Sequence, residues 1–330
     1  MNNVTHDPIF QVATGFMAAK HLFAATEIGL FEKLASGPAT VDELAQRTGS
    51  PRRTLRMVAD AMVALGFLER VEGQYRNSPE ADLFLSGRDP TSDLRPAMRF
   101  FNLFSYRRWE KFEEAVRFDK PVFGKYEIAE GEKEYYYAGM EKITTMAAQA
   151  LVAAYDFIPH RSLLDLGGGT GSFVEVILRR YTGLGATVYD RPHITSVTRR
   201  RLAPFGDRVQ VVEGNFFIDP IPTGHDAVLL ANIVHLFTQE QNIDLLNRIR
   251  RSVPDGARLL IVDFWTNSTH TEPLFAALMT GSFMTTSGEG DVYSTEEALS
   301  WLRQTGWRKV DHKPLTGAAG ASLLVAESAG

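Results

Sequence analysis

The sequence predicts an α/β fold: a seven-stranded sheet alternating with helices in the C-terminal half, preceded by a mostly helical region that contains a winged helix. Three observations predict it. A short apolar run, Ser162-Leu163-Leu164-Asp165-Leu166, leads directly into Gly167-Gly168-Gly169-Thr170-Gly171 and then into a helix from Ser172 to Tyr181. The next run, Ala186 to Tyr189, ends in the acidic Asp190, about 20 residues beyond the glycines. Further short apolar runs then alternate with segments of helical period, the pattern of a sheet layered between helices.

At 330 residues the chain has room for two domains, and 44% hydrophobic with 23% charged residues is the make-up of an ordinary globular protein. A net charge of −5 and a pI near 5.9 supply no cationic excess for nucleic acid or an anionic membrane, so small molecules are the expected ligands. The absence of cysteine removes thiolate nucleophiles, disulfides and Cys-ligated zinc together, and fits a cytoplasmic location. The first residues lack a basic segment followed by an apolar core, and no stretch runs apolar for the ~20 residues a membrane span needs. None of the eight histidines forms a spaced pair of the kind a ligand helix carries, so no metal is expected.

Taken in order, residues 9–34 are small and apolar at helical spacing. Thr40 then opens a helix with Glu43 placed to complete a capping box, and Gly49 stops it. Pro51 suits the start of the next helix, whose apolar positions Leu55, Val58, Ala59, Met62 and Leu65 keep helical spacing as far as Gly66. Short strands at 67–71 and 74–76 flank a turn at Glu72-Gly73. Helix, turn, helix and hairpin make a winged helix, a fold often used on DNA. Between Thr40 and Asn77, however, six arginines face five acidic residues, too balanced for phosphate binding. The other use of such a module is to bury its apolar helices against a second copy, and a homodimer through this domain is the expectation. Domain bounds of 1–95, 96–157 and 158–330 follow, the middle part being a helical connector rich in aromatics.

The C-terminal part carries the chemistry. Glycines after the first strand let backbone approach a ligand closely, and the following helix N-terminus offers unpaired N–H groups. An acid at the end of the second strand can accept from both hydroxyls of a ribose. A dinucleotide would use the same logic, but its loop reads Gly-x-Gly-x-x-Gly, and Ser172 stands where the third glycine belongs. Asp165 just before the loop suits an amino-acid ammonium better than a pyrophosphate. A third strand, 208–212, leads to Glu213-Gly214-Asn215-Phe216-Phe217, and a fourth, 226–230, leads to Ala231-Asn232-Ile233-Val234-His235. A helix at 239–251, a strand at 258–263 and terminal strands near 307–311 and 322–327 complete the seven.

The chain resembles the two-domain, dimeric small-molecule O-methyltransferases of the plant phenolic, acetylserotonin and bacterial natural-product type. The resemblance covers nearly the whole chain. It rests on Ile28-Gly29-Leu30-Phe31, Leu163 to Gly171, Tyr189-Asp190-Arg191-Pro192, Gly214 to Phe217, Val234-His235 and Gly290-Asp291-Val292-Tyr293-Ser294. It implies a Rossmann-like methyltransferase sheet, S-adenosylmethionine as cofactor, S-adenosylhomocysteine as product, and a small, aromatic acceptor. By position it implies that Asp165, Gly167, Gly168 and Gly169 hold the methionine part, that Asp190 binds the ribose with Arg191 a further cofactor-site residue, and that Asn215 and Phe216 flank adenine. Ala231 and Asn232 also belong to the implied cofactor site.

The same resemblance makes His235 the general base and Asp263 the acid that orients it, and it makes Tyr136, Met140, Met279, Phe283 and Ser287 pocket-lining residues. A neutral imidazole can take the proton of a phenol of pKa ~10. Three positions depart from the pattern. Asn215 stands where relatives carry Asp, and its amide oxygen can accept from adenine or cap its own loop. Val292 stands where relatives carry a second glutamate, with Asp291 and Glu289 as neighbours. His235 is followed by Leu236-Phe237 instead of Asp-Trp. Catalysis by positioning alone, carbon or nitrogen methylation, and a non-catalytic winged-helix regulator that binds S-adenosylmethionine are the alternatives. Gly288 and Gly290 give the loop 285–291 freedom to move.

Overall fold

The computed structural model describes residues 4–122, 128–286, 288–318 and 320–329. Two compact units are present, one made of residues 1–107 with 128–142, the other of 108–127 with 143–330. The segment 96–157 is thus shared between them.

The first unit contains α1 (Asp7–Glu27), α2 (Leu30–Lys33), β1 (Ala39–Thr40), α3 (Val41–Thr48), α4 (Arg52–Ala64), β2 (Leu68–Val71), β3 (Gln74–Asn77), α5 (Pro79–Phe84) and α6 (Arg95–Phe100). The capping box at Thr40 forms as its sequence dictates: Glu43 N–H donates to Thr40 Oγ1 (3.3 Å), and Thr40 N–H donates to Glu43 Oε2 (2.7 Å). Gly49 ends α3 at φ 68°, a conformation that costs glycine nothing. β2 and β3 form the expected hairpin, and β1 adds a two-residue edge too short to leave an alternating signature. Leu30, Phe31, Leu44, Leu55, Met62 and Leu68 close the core of this winged helix.

Five-residue π-helical geometry at Phe101–Ser105 follows α6, then α7 (Tyr106–Trp109), α8 (Phe112–Phe118) and the long α9 (Lys133–Ala154). The second unit continues through β4 (Ser162–Leu166), α10 (Ser172–Arg180), β5 (Gly185–Asp190), α11 (Pro192–Leu202), β6 (Val209–Glu213), β7 (Ala227–Ala231) and α12 (Gln239–Ser252). It ends with β8 (Arg258–Phe264), α13 (Leu274–Met284), α14 (Thr295–Gln304), β9 (Trp307–Pro314) and β10 (Ala321–Ser328). The sheet order is β6-β5-β4-β7-β8-β10-β9, parallel except for β10, which runs antiparallel to both neighbours. All seven expected strands form.

Alternation along the strands explains the layering. Leu163, Val188, Leu229 and Leu260 face one side with Val174 and Ile177 of α10, while Leu164, Val228, Leu230 and Ile261 face the other with Leu245 and Ile249 of α12. Both faces are covered, which is why the strands read as nearly continuous apolar runs. Strand order reverses between β4 and β7, so the loops after β4, β5, β6 and β7 converge at one carboxyl-end crevice, the place where such sheets bind ligands.

Candidate active site

The glycine loop packs tightly at Gly167, Gly168 and Gly171, where a side chain would collide with the rest of the protein. Gly167, Gly169 and Gly171 have φ of 76°, 56° and 83°. A Cβ on Gly167 would lie 2.5 Å from Ile233, and one on Gly168 would lie 2.5 Å from Asp165 Oδ2. The loop is pinned from three sides: Gly167 N–H donates to the Tyr189 carbonyl (2.8 Å), Thr198 Oγ1 donates to the Gly169 carbonyl (2.7 Å), and Gly169 N–H donates to Asp190 Oδ2 (2.7 Å). Asp190 also accepts from its neighbour Arg191 N–H (2.6 Å), so its carboxylate is fixed at the end of β5 beside the loop.

Asp165 lies beneath the loop, 1% exposed, and its Oδ2 has no hydrogen-bond partner. Burial, then the charge of Asp190, push its carboxyl up to about 8. On the far side of the cradle the Tyr189 hydroxyl is likewise buried without a partner, against Gly214. Asn215 Oδ1 accepts from Phe217 N–H (3.1 Å), closing its own turn, and Asn215 N–H donates to Asp219 Oδ2 (2.8 Å). Phe216, Phe217 and Phe237 form an edge-to-face cluster with centroids 4.9–5.8 Å apart. Ala231 ends β7, and Asn232 follows at φ 57°, its N–H donating to the Val262 carbonyl (2.9 Å).

One turn further, His235 sits in the short 3-10 turn Val234–Leu236 that follows β7, 6% exposed. Its Nδ1 lies 2.7 Å from Asp263 Oδ1, and since a carboxylate only accepts, Nδ1–H is the donor and Nε2 points away from this contact. Asp263, 1% exposed, also accepts from the backbone N–H groups of Val234 (3.0 Å), His235 (3.4 Å) and Phe264 (2.9 Å). It therefore fixes both the ring and the turn that carries it. The Phe283 ring stacks on the imidazole, centroids 3.8 Å apart and planes within 12°.

Several supports of this site left no local sequence signal. Asn242 of α12 donates through Nδ2 to the carbonyls of Val234 (3.0 Å) and Phe237 (3.1 Å), and Tyr293 OH donates to the latter (2.7 Å). Arg248 on the same helix donates to the carbonyls of Phe216 and Asp219, both at 2.6 Å. A Cβ on Gly290 would overlap the His235 carbonyl. In the run 290–294 the sequence marks Gly290 only for freedom of loop motion, and Asn242 and Arg248 carry no signal of their role.

Other expected positions stand as follows. Met279 is partly buried on α13, one turn before Phe283. Tyr136 and Met140 lie on the part of α9 that belongs to the first unit, where Tyr136 packs on Phe100 and Phe104. Ser287 lies outside the described residues. Val292 is buried, and Asp291 accepts from Val292 N–H (2.7 Å) with its carboxyl raised by burial. Among the described residues no group of three potential metal ligands occurs, and no helix is long and apolar enough to cross a membrane.

A parallel sheet with a glycine cradle after its first strand, an acid after its second and a buried His-Asp pair after its fourth defines a cofactor-binding transferase domain. Comparison with known proteins makes this specific. Residues 105–308 match the O-methyltransferase domain family and residues 10–87 the O-methyltransferase dimerisation domain. A 3-hydroxy-5-methyl-1-naphthoate 3-O-methyltransferase of Streptomyces sahachiroi is 33% identical over 91% of this chain and 88% of its own. The tetracenomycin polyketide synthesis 8-O-methyl transferase TcmO of Streptomyces glaucescens is 30% identical over 94% and 93%. The S-adenosylmethionine-dependent methyltransferase SibL, solved in its apo form, superposes with a TM-score of 0.87 at 27% identity, covering 99% of this chain and 100% of that one. The chain belongs to the S-adenosylmethionine-dependent O-methyltransferases.

Proposed function

We propose that the protein methylates a hydroxyl group of a small aromatic natural product, with His235 as general base. The observation that carries this reading is the buried pair itself: Nδ1–H on Asp263 at 2.7 Å, and Nε2 with no partner among the described residues. The cradle suits its cofactor, since the glycines let the loop backbone close on Ile233, Asp165 and Leu202, open space lies over Gly169, and the Asp190 carboxylate stands beside them. Asp190 would hold the ribose, the glycine loop with Asp165 the methionine part, and Phe216 the adenine. Asn215 is assigned to the loop turn, its amide oxygen having a second lone pair for adenine.

S-adenosylmethionine supplies, when bound, an activated methyl on a sulfonium. The chain's own residues then do two things. They orient the acceptor hydroxyl in a site closed to water, which is worth several powers of ten by itself. Nε2 of His235 accepts the hydroxyl proton, and the resulting imidazolium keeps its Nδ1–H on Asp263. The relatives named above act on hydroxylated naphthoate and polyketide frameworks, which supports a polycyclic aromatic acceptor. The match of residues 10–87 to the O-methyltransferase dimerisation domain supports a homodimer through the first unit.

The test is calorimetric binding of S-adenosylhomocysteine to wild type and Asp190→Ala, followed by methyl-transfer assays with hydroxynaphthoates, phenols and anthraquinones. Micromolar binding lost in the variant, with methyl ether formed by wild type, is expected. Absence of binding by wild type sinks the cofactor assignment, and methylation at carbon or nitrogen alone sinks the hydroxyl reading.

A further inference from the structure

The geometry points to Phe283 as a positioning residue for His235, setting the plane of the imidazole and hence the direction of Nε2, an inference that rests on His235 being the base. The hydrogen bond to Asp263 holds one atom of the ring but leaves its plane free to swivel about the Cβ–Cγ bond within the angular tolerance of that contact. A parallel face contact at 3.8 Å and 12° removes that swivel. Phe264 closes on the same two rings, 6.3 Å from His235 and 5.9 Å from Phe283.

The helix that carries Phe283 is itself held. At Gly281, two residues earlier on α13, the missing side chain admits the rings of Trp109 and Phe112, which a Cβ would meet at 2.6 and 2.9 Å. From the other direction Gly290 brings the loop after α13 against the His235 carbonyl. The imidazole is thus set by an acid at its edge, an aromatic ring on its face and a glycine against its backbone. A phenyl face already covered by the imidazole cannot also stack on an acceptor. Phe283 therefore acts on the reaction through His235, and its role as a pocket wall is confined to its remaining surface.

The experiment uses the full-length protein, with Phe283→Leu, Phe283→Tyr, His235→Gln and the Phe283→Leu/His235→Gln double variant. On the S-adenosylhomocysteine complex, histidine ring signals are read by NMR, which needs no acceptor and also reports folding. Wild-type His235 is expected to show upfield ring-current shifts and a single Nδ1-protonated tautomer; Phe283→Leu should lose the shift while Asp263 keeps the tautomer, and Phe283→Tyr should keep both. In turnover of 3-hydroxy-5-methyl-1-naphthoate, Phe283→Leu should lower kcat about tenfold to a hundredfold with KM little changed, and Phe283→Tyr should restore it. The same change in the His235→Gln background should cost nothing more. Unmoved ring signals in Phe283→Leu, or a raised KM with kcat intact, overturns the positioning role and leaves the base reading standing. Wild-type kcat in His235→Gln overturns both.

Discussion

Four N–H donors converge on the buried Asp263 carboxylate, three from backbone and one from the His235 ring. Asp263→Asn replaces an acceptor with a group that must present either N–H or C=O to Nδ1–H, so the tautomer is no longer dictated. We expect kcat to fall by about 10²–10⁴-fold while S-adenosylhomocysteine affinity, measured by calorimetry, is kept. Asp165 gives a different prediction, in stability. Its carboxyl holds a proton in the folded protein up to about 8 but releases it near 3.9 in the unfolded chain. The folded state therefore binds more protons than the unfolded one between those values, and its stability is full below about 4 and declines as pH rises toward 8. Asp165→Asn cannot ionise and should escape that decline. Melting curves of the cofactor-free protein from pH 4 to 8 should diverge, the variant gaining on wild type; parallel curves would rule the coupling out.

At the scale of elements, α12 grips both sides of the crevice, Asn242 the turn that bears His235 and Arg248 the loop from Phe216 to Asp219. Asn242→Leu fills the same space but removes Nδ2 from both carbonyls, leaving Val234 only the long Phe237 N–H contact (3.4 Å) and Phe237 only the Tyr293 hydroxyl, a hydrogen-bond loss worth about 0.5–1.5 kcal/mol. Chemical denaturation should show that loss, and kcat should fall more than cofactor binding does, because the turn and not the cradle is loosened. Gly290→Ala places a methyl group on the His235 carbonyl, so the loop after α13 must retreat. A depressed kcat with normal S-adenosylhomocysteine binding is expected, and unchanged kinetics would show that the loop yields freely.

At the scale of the whole molecule, the first unit leaves apolar side chains exposed along α1. Ile9, Phe10, Val12, Phe16 and Met17 of α1 are 50–82% exposed. An apolar stripe of that kind marks an interaction surface, and the match of residues 10–87 to the dimerisation domain supplies its occupant, a second copy. Phe10→Glu combined with Phe16→Glu should convert a dimer to a monomer in multi-angle light scattering at micromolar concentration. A wild-type monomer under the same conditions would remove the dimer from the proposal.

How much was legible in the sequence follows from how far apart the deciding residues lie. Thr40 with Glu43, the strand running into Gly167, and Asp190 at the end of the next strand are local patterns, in which chain geometry alone fixes what the residues can do. They determined the α/β class, all seven strands and the side of the sheet that binds a ligand. The resemblance, not spacing, paired His235 with Asp263, since 28 residues separate them. Tertiary packing alone decided that Asp165 is buried under its loop and that Phe283 lies flat on the imidazole, whereas the Asn215 turn, closed within two residues, is one of the two readings its sequence leaves open. Burial, face contact and close backbone approach depend on residues brought together from distant strands and helices, and periodicity along one segment carries no record of them.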